Sequence, residues 1–458
     1  MVVWRGHWSL IVLCVCALCV ALSALSLLNV DRDPSLGRAS HDPKDDFVTT
    51  WWTDAQTPGG RTVHITTGEG IFNYEVDWNN DGVFDDKGVR GDIVHEYDKP
   101  GVYTVRIRGV FPHLKSPTEE DFEDWTLQSV EQWGSNRWES MAQMFADRRG
   151  VRIRAQDTPV LTDVTRMDWM FAGATSLRGD LSQWDTSGVM DMTGMFDGAE
   201  VFDGDLSRWD TSNVRSMAYM FCDARRFNQP LGAWDTSRVR TTMGMFQDAH
   251  AFNQDLEGWD TSRVQTMAYM FLGASSFNGR VDAWDTSRVR DMSAMFYEAQ
   301  HFNQPVDNWD TSRVAKMSWM FARAYAFDQP LEAWDTSRVT DMSAMFAYTR
   351  DFDQPLGRWD VRRVQDTRHM FLGAKSFDRP LGSWQLYSIL NMHAMFDDSA
   401  LSRERYDATL SGWARALYLP EGVSLGAKGV LYCRADRARA HLLTQHQWVI
   451  RGDRRQCD

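Results

Sequence analysis

Large apolar residues recur on a strict 25-residue step through the second half of the chain: Trp184, Trp209, Trp234, Trp259, Trp284, Trp309, Trp334, Trp359 and Trp384. Val189 to Val364, then Ile389, stand five places after each Trp, Met195 to Met395 and Phe196 to Phe396 follow without a gap, and Leu206 to Leu381 close the unit, with Val281 and Val306 substituting. One supersecondary unit copied at a fixed period and stacked on itself explains such a comb. Met-x-x-Met-Phe-x-x-Ala has the spacing of a helical face, and Leu-x-x-Trp-Asp, after Asn-x-Pro punctuation as at Asn228 to Pro230, has the composition of a short strand. The expected fold class is therefore an α/β solenoid with one short strand and one short helix per 25-residue coil. Its strands would form a parallel ladder about 4.8 Å apart.

The recurring string F-N-Q-P-L-x-x-W-D-T-S-x-V-x-x-M-x-x-M-F-x-x-A resembles the repeat of BspA-like surface proteins, a relative of the leucine-rich repeat. The resemblance covers residues 133–400, and Tyr406 to Trp413 with Tyr432, Cys433 and Trp448 is similar to the closing segment found after such repeats. It implies a solenoid of leucine-rich-repeat type in a secreted or surface-displayed protein, acting as a binding or adhesion module for an extracellular protein or glycan.

The position before each Met-Phe pair carries a second order: Trp169, Gly194, Tyr219, Gly244, Tyr269, Ala294, Trp319, Ala344, His369 and Ala394 alternate large and small. Coils one strand spacing apart cannot all carry a ring there, so each ring is expected to lean over a small neighbour. Steric filling after an ancestral 50-residue duplication accounts for this; the sharper alternative is a solvent-facing binding stripe of Trp169, Tyr219, Tyr269, Trp319 and His369.

The repeated Trp-Asp-Thr-Ser motif stacks Asp185 to Asp360 into a row. Such acids could bind cations or perform acid/base work, but Asp and Ser equally accept or support backbone turns, and Arg238, Arg263, Arg288, Arg313, Arg338 and Arg363 are placed to neutralise them. A feature repeated without distinction is scaffolding rather than an active site, and no enzyme is expected. A carbohydrate-active enzyme using acids such as Asp285 and Asp310 is the alternative from another class, and a structural wall protein without a specific partner is a third.

Towards the N-terminus the texture changes. Residues 1–30 read as a signal peptide or signal anchor, with uncharged residues 9–28 long enough for membrane anchorage, and residues 31–46 as a linker. Thr62 to Thr66, Phe72 to Val76 and Tyr103 to Ile107 alternate as strands of a small β-sandwich over 47–112. Val76-Asp-Trp-Asn-Asn-Asp-Gly82, His95-Glu-Tyr97 and Pro100-Gly-Val-Tyr-Thr-Val105 resemble a PKD-like module. Within it Asp77, Asn79, Asp81 and Asp85 have the spacing of calcium ligands around Gly82, but Gly88 stands where a bidentate acid belongs, so an acidic hairpin turn is preferred. No other cofactor is expected.

Residues 113–132 read as linker and N-terminal cap, with a helix start at Thr118 to Phe122, and 401–458 as a C-terminal cap stapled by Cys433 and Cys457, leaving Cys222 free. A net charge of -14 argues against nucleic acid as a partner. Location is expected to be secreted or cell-surface.

Overall fold

The computed structural model describes residues 41–55, 60–117 and 126–457. The apolar segment 9–28, the linker up to residue 40 and the helix start at 118–122 lie outside the described residues; the linker's end carries a 3-10 turn at Pro43–Asp45, and Asp46 pairs with Arg106 of the sheet. Among those described, no helix is long and apolar enough to cross a membrane.

The N-terminal third is built on strands β1 (Phe47–Thr53), β2 (Thr62–Ile65), β3 (Asn73–Asp77), β4 (Asp86–Val89), β5 (Ile93–Glu96), β6 (Gly101–Val110), β7 (Leu127–Gln132) and β8 (Arg152–Ile153). One sheet has the order β4-β3-β6-β1-β7-β8, and β2 pairs with β5 separately. Phe47, Trp51, Tyr74, Val76 and Ile107 enter the core from alternate positions, as period-two patterning requires. The sheet does not stop near residue 112: β7, within the segment read as a cap, pairs antiparallel with β1 and parallel with β8. From β8 the pairing continues into the repeats through an Arg152–Arg178 bridge.

The expected α/β solenoid with a helix and a strand in every coil is not what forms. Between β8 and helix α1 (Arg403–Trp413) there is no helix and no named strand. The β-pairing between successive 25-residue layers is one isolated parallel bridge each, running Arg166, Asp191, Ser216, Thr241, Thr266, Asp291, Lys316, Asp341, Asp366, Asn391. The Leu-x-x-Trp stretch, read as a strand, is a turn, closed for instance by Trp284 N–H to the Val281 carbonyl at 3.3 Å.

The Met-Phe stretch is also a run of turns, and its hydrogen bonds say why. In one layer Met270, Leu272 and Ala274 donate to the carbonyls three residues back, while Met267, Tyr269, Phe271 and Gly273 donate to Asp291, Ser293, Met295 and Tyr297 of the next layer. Tyr269 and Gly273 have left-handed φ of 63° and 68°, which interrupts a right-handed helix twice in five residues. Successive three-residue turns bring i, i+3, i+4 and i+7 to one face, so the sequence spacing imitates a helix.

The interior consists of ring columns. Phe246, Phe271, Phe296 and Phe321 stack at 5.6 Å, each against a second phenylalanine such as Phe277 at 3.8 Å from Phe271. Trp284, Trp309 and Trp334 form a third column at 6.1 and 6.4 Å. Along another edge Asn253, Asn278 and Asn303 each donate a backbone N–H to the side-chain oxygen of the preceding layer's Asn228, Asn253 or Asn278. This ladder satisfies backbone groups that a regular sheet would otherwise pair.

Beyond α1 come β9 (Ser424–Gly426), β10 (Leu431–Tyr432), helix α2 (Asp436–Gln445), β11 (Val449–Arg451) and β12 (Arg454–Arg455). A Met392–Leu425 bridge seats this segment on the last layer. The buried Asp407 carboxylate accepts from the N–H groups of Cys433, Arg434 and Ala435 at the entry to α2. Cys433 and Cys457 are disulfide-bonded.

Candidate functional site

Every member of the alternating row sits in a left-handed turn: Trp169, Tyr219, Tyr269, Trp319 and His369 have φ of 57° to 63°, and the small residues between them, from Gly194 to Ala394, have 50° to 60°. A bulky side chain there opposes backbone preference, whereas glycine adopts the region freely. The rings lean as stacking demands. A Cβ placed on Gly194 would lie 2.2 Å from the Trp169 ring, and one on Gly244 would lie 2.4 Å from the Tyr219 ring. Trp169, Tyr219 and His369 are half-buried, while Tyr269 and Trp319 are 39% and 42% exposed. Trp169 and Tyr219 thus cover the next layer while remaining partly open to solvent, and Tyr269 and Trp319 are the most exposed of the row.

Around Trp319 the row widens into an aromatic patch that the 25-residue pattern alone does not reveal. Tyr297 lies edge-on to Trp319 at 5.7 Å, and Tyr348, 44% exposed, occupies a second left-handed position with the Arg323 guanidinium over its ring at 5.6 Å. Arg350 stacks over Tyr325 at 4.2 Å. The signal available in the sequence was the position four residues after each member of the alternating row, where Arg323 and Tyr348 stand.

The Trp-Asp-Thr-Ser row resolves into hydrogen-bonding parts. The indole N–H of Trp284 donates to the Leu256 carbonyl of the preceding layer at 2.8 Å, and the Thr286 hydroxyl donates to the Asp310 carbonyl of the following one at 3.0 Å. Asp285 and Asp310 each accept the N–H two residues on, from Ser287 and Ser312, at 2.9 Å. The serine hydroxyl and then its backbone N–H hold Asp185, Asp260 and Asp310 below the usual carboxylate range, opposite to what a proton-donating acid needs. The expected neutralisation by arginine is not how the row is satisfied. Among the described residues none of Arg238, Arg263, Arg288, Arg313, Arg338 and Arg363 forms an ion pair with it; only Arg362 pairs with Asp360, at 2.5 Å.

In the acidic hairpin the proposed calcium ligands serve their own turn. Asp77 accepts from the N–H groups of Asn79 and Gly82, Asn79 from Asp81, Asp81 from Val83, and Asp85 from Trp78. A cation would have to compete with these bonds, and the set does not converge as a metal cluster among the described residues. The thiol of Cys222 is pushed well up by burial and by Asp197 beside it, which makes it a poor nucleophile.

A family profile described as Mycoplasma protein of unknown function, DUF285, matches this chain over residues 107–205, 139–257, 230–321 and 303–413. No curated protein and no solved structure matches.

Proposed function

We propose that this chain, which belongs to the DUF285 family, is a secreted or surface-displayed binding module whose layered units hold an aromatic face towards an extracellular protein or glycan. The observation that carries this reading is the set of rings at left-handed positions. Alternate layers fill the same position with Gly or Ala, so the backbone does not call for a ring. Rigid rings with one face in solvent capture sugar or peptide surfaces at little entropic cost. The resemblance of the repeats to BspA-like proteins, and of residues 47–112 to a PKD-like spacer, supports display outside the cell.

The test is to screen the full-length chain on glycan and host-protein arrays and to compare Tyr269→Ala plus Trp319→Ala on whatever is captured. Capture at least about tenfold weaker, with cooperative unfolding retained, is the expected result, since two aromatic contacts of about 1 kcal/mol or more are lost. Undiminished capture removes the aromatic face from the account. Absence of any saturable ligand favours the structural wall protein, and cleavage of a polysaccharide that is lost with Asp285→Asn plus Asp310→Asn favours the enzyme.

A further inference from the structure

On another edge of the layers, Arg290, Arg313, Arg338 and Arg363, with Ala315, line an open groove of about 590 Å³. Arg313, Arg338 and Arg363 occupy the same position in three successive layers, whose Phe321, Phe346 and Phe371 rings step by 5.8 and 5.7 Å. All four arginines are exposed. No carboxylate lines this groove, and none of the four closes an ion pair with an acid among the described residues. Asp310 and Asp360 are held low first by hydrogen bonds from Ser312 and Arg362, with the charges of Arg313 and Arg363 adding a smaller pull. A second groove of about 400 Å³ shares Arg338 and Arg363 and adds Ser337, Tyr387 and the Asp360–Arg362 pair.

We infer that this arginine groove binds a linear sulfated polysaccharide, its sulfate groups spaced along the chain so that successive guanidiniums each take one. The guanidinium fork suits planar or tetrahedral oxyanions. Arg313, Arg338 and Arg363 stand in one file with Arg290 beside it, a narrow track that fits a single extended chain rather than the broad basic surface that a membrane requires. Single-stranded nucleic acid is less suited, because the four-arginine groove offers no ring on which a base could stack. With a net charge of -14 the chain as a whole repels polyanions, so binding must be local to the groove and sensitive to salt. The site is separate from the aromatic face and does not depend on that reading.

The experiment measures binding of a fluorescent heparin octasaccharide to the full-length chain as a function of salt. The unlabelled desulfated octasaccharide, a single-stranded DNA oligonucleotide of equal charge and phosphatidylserine vesicles serve as competitors. Arg313→Ser plus Arg338→Ser should weaken binding by about tenfold or more, since charged hydrogen bonds are lost at two of four cations, and should flatten the salt dependence with an unchanged thermal midpoint. Tyr269→Ala plus Trp319→Ala should bind as the parent does. The inference is overturned by equal affinity of the arginine variant, by effective competition from the desulfated sugar, by tighter binding of DNA or vesicles through the same arginines, or by loss of binding in the aromatic variant alone.

Discussion

Replacing Phe296 with alanine removes one ring from the middle of the longest column. The ring is wholly buried, with Phe271 and Phe321 above and below it at 5.6 Å and Phe302 at 3.8 Å within its own layer. Neighbouring layers are held in register by backbone bonds such as Phe296 N–H to Met320 and Phe271 N–H to Met295, so they cannot collapse fully into the gap. The cost should lie near the upper part of the large-to-small range, about 4 kcal/mol, combining lost transfer energy with a persistent cavity. Phe296→Leu, which fills much of the space, should cost about a third of that. Urea unfolding followed by tryptophan fluorescence reads the loss as a lower midpoint. Phe296→Ala combined with Phe302→Ala should cost less than the sum by about 1 kcal/mol, because the two rings share one cavity. A cost below about 1 kcal/mol for Phe296→Ala would refute the view that the columns supply cohesion.

Two further outcomes follow from the half-buried Asp197 and the buried Asp407. Burial, ahead of any neighbouring charge, pushes the Asp197 carboxyl up to about 6; between about pH 4 and 6 the folded chain retains a proton that the unfolded chain has released, so stability falls as pH rises through that window. Asp197→Asn should remove this slope and raise stability at neutral pH by about 1–2 kcal/mol, and a thermal midpoint whose pH profile matches the parent's would contradict the assignment. Asp407→Ala should leave three buried or half-buried N–H groups without an acceptor at the start of α2, costing about 2–3 kcal/mol. Hydrogen exchange at Cys433, Arg434 and Ala435 checks this, and unchanged protection there would count against it.

What could be read from the residues was set by contact between identical layers. Val289, Met295, Phe296 and Trp284 face their own copies 25 residues away, so their size is constrained and their period visible. The lean of Trp169 over Gly194 was legible for the same reason, since close stacking leaves only one arrangement for a ring beside a small residue. The local backbone was not. Nothing in the identity of Tyr269 or Trp319 announces a positive φ, and a turn repeated every three or four residues has the apolar spacing of a helix. The arginines of Asp-Thr-Ser-Arg were paired with the wrong acceptor, because sequence proximity favours a salt bridge while Asp285 is already engaged by the nearer Ser287 amide. That Arg238 instead donates to Asn213 of the preceding layer is visible only in three dimensions.

The overlap of each ring with the space above its small neighbour sets a rule of parity for the array. Losing a unit that carries the small residue, or gaining one that carries a ring, would place aromatic against aromatic. A ring-bearing unit is therefore best added together with a small-residue unit to lie beneath it.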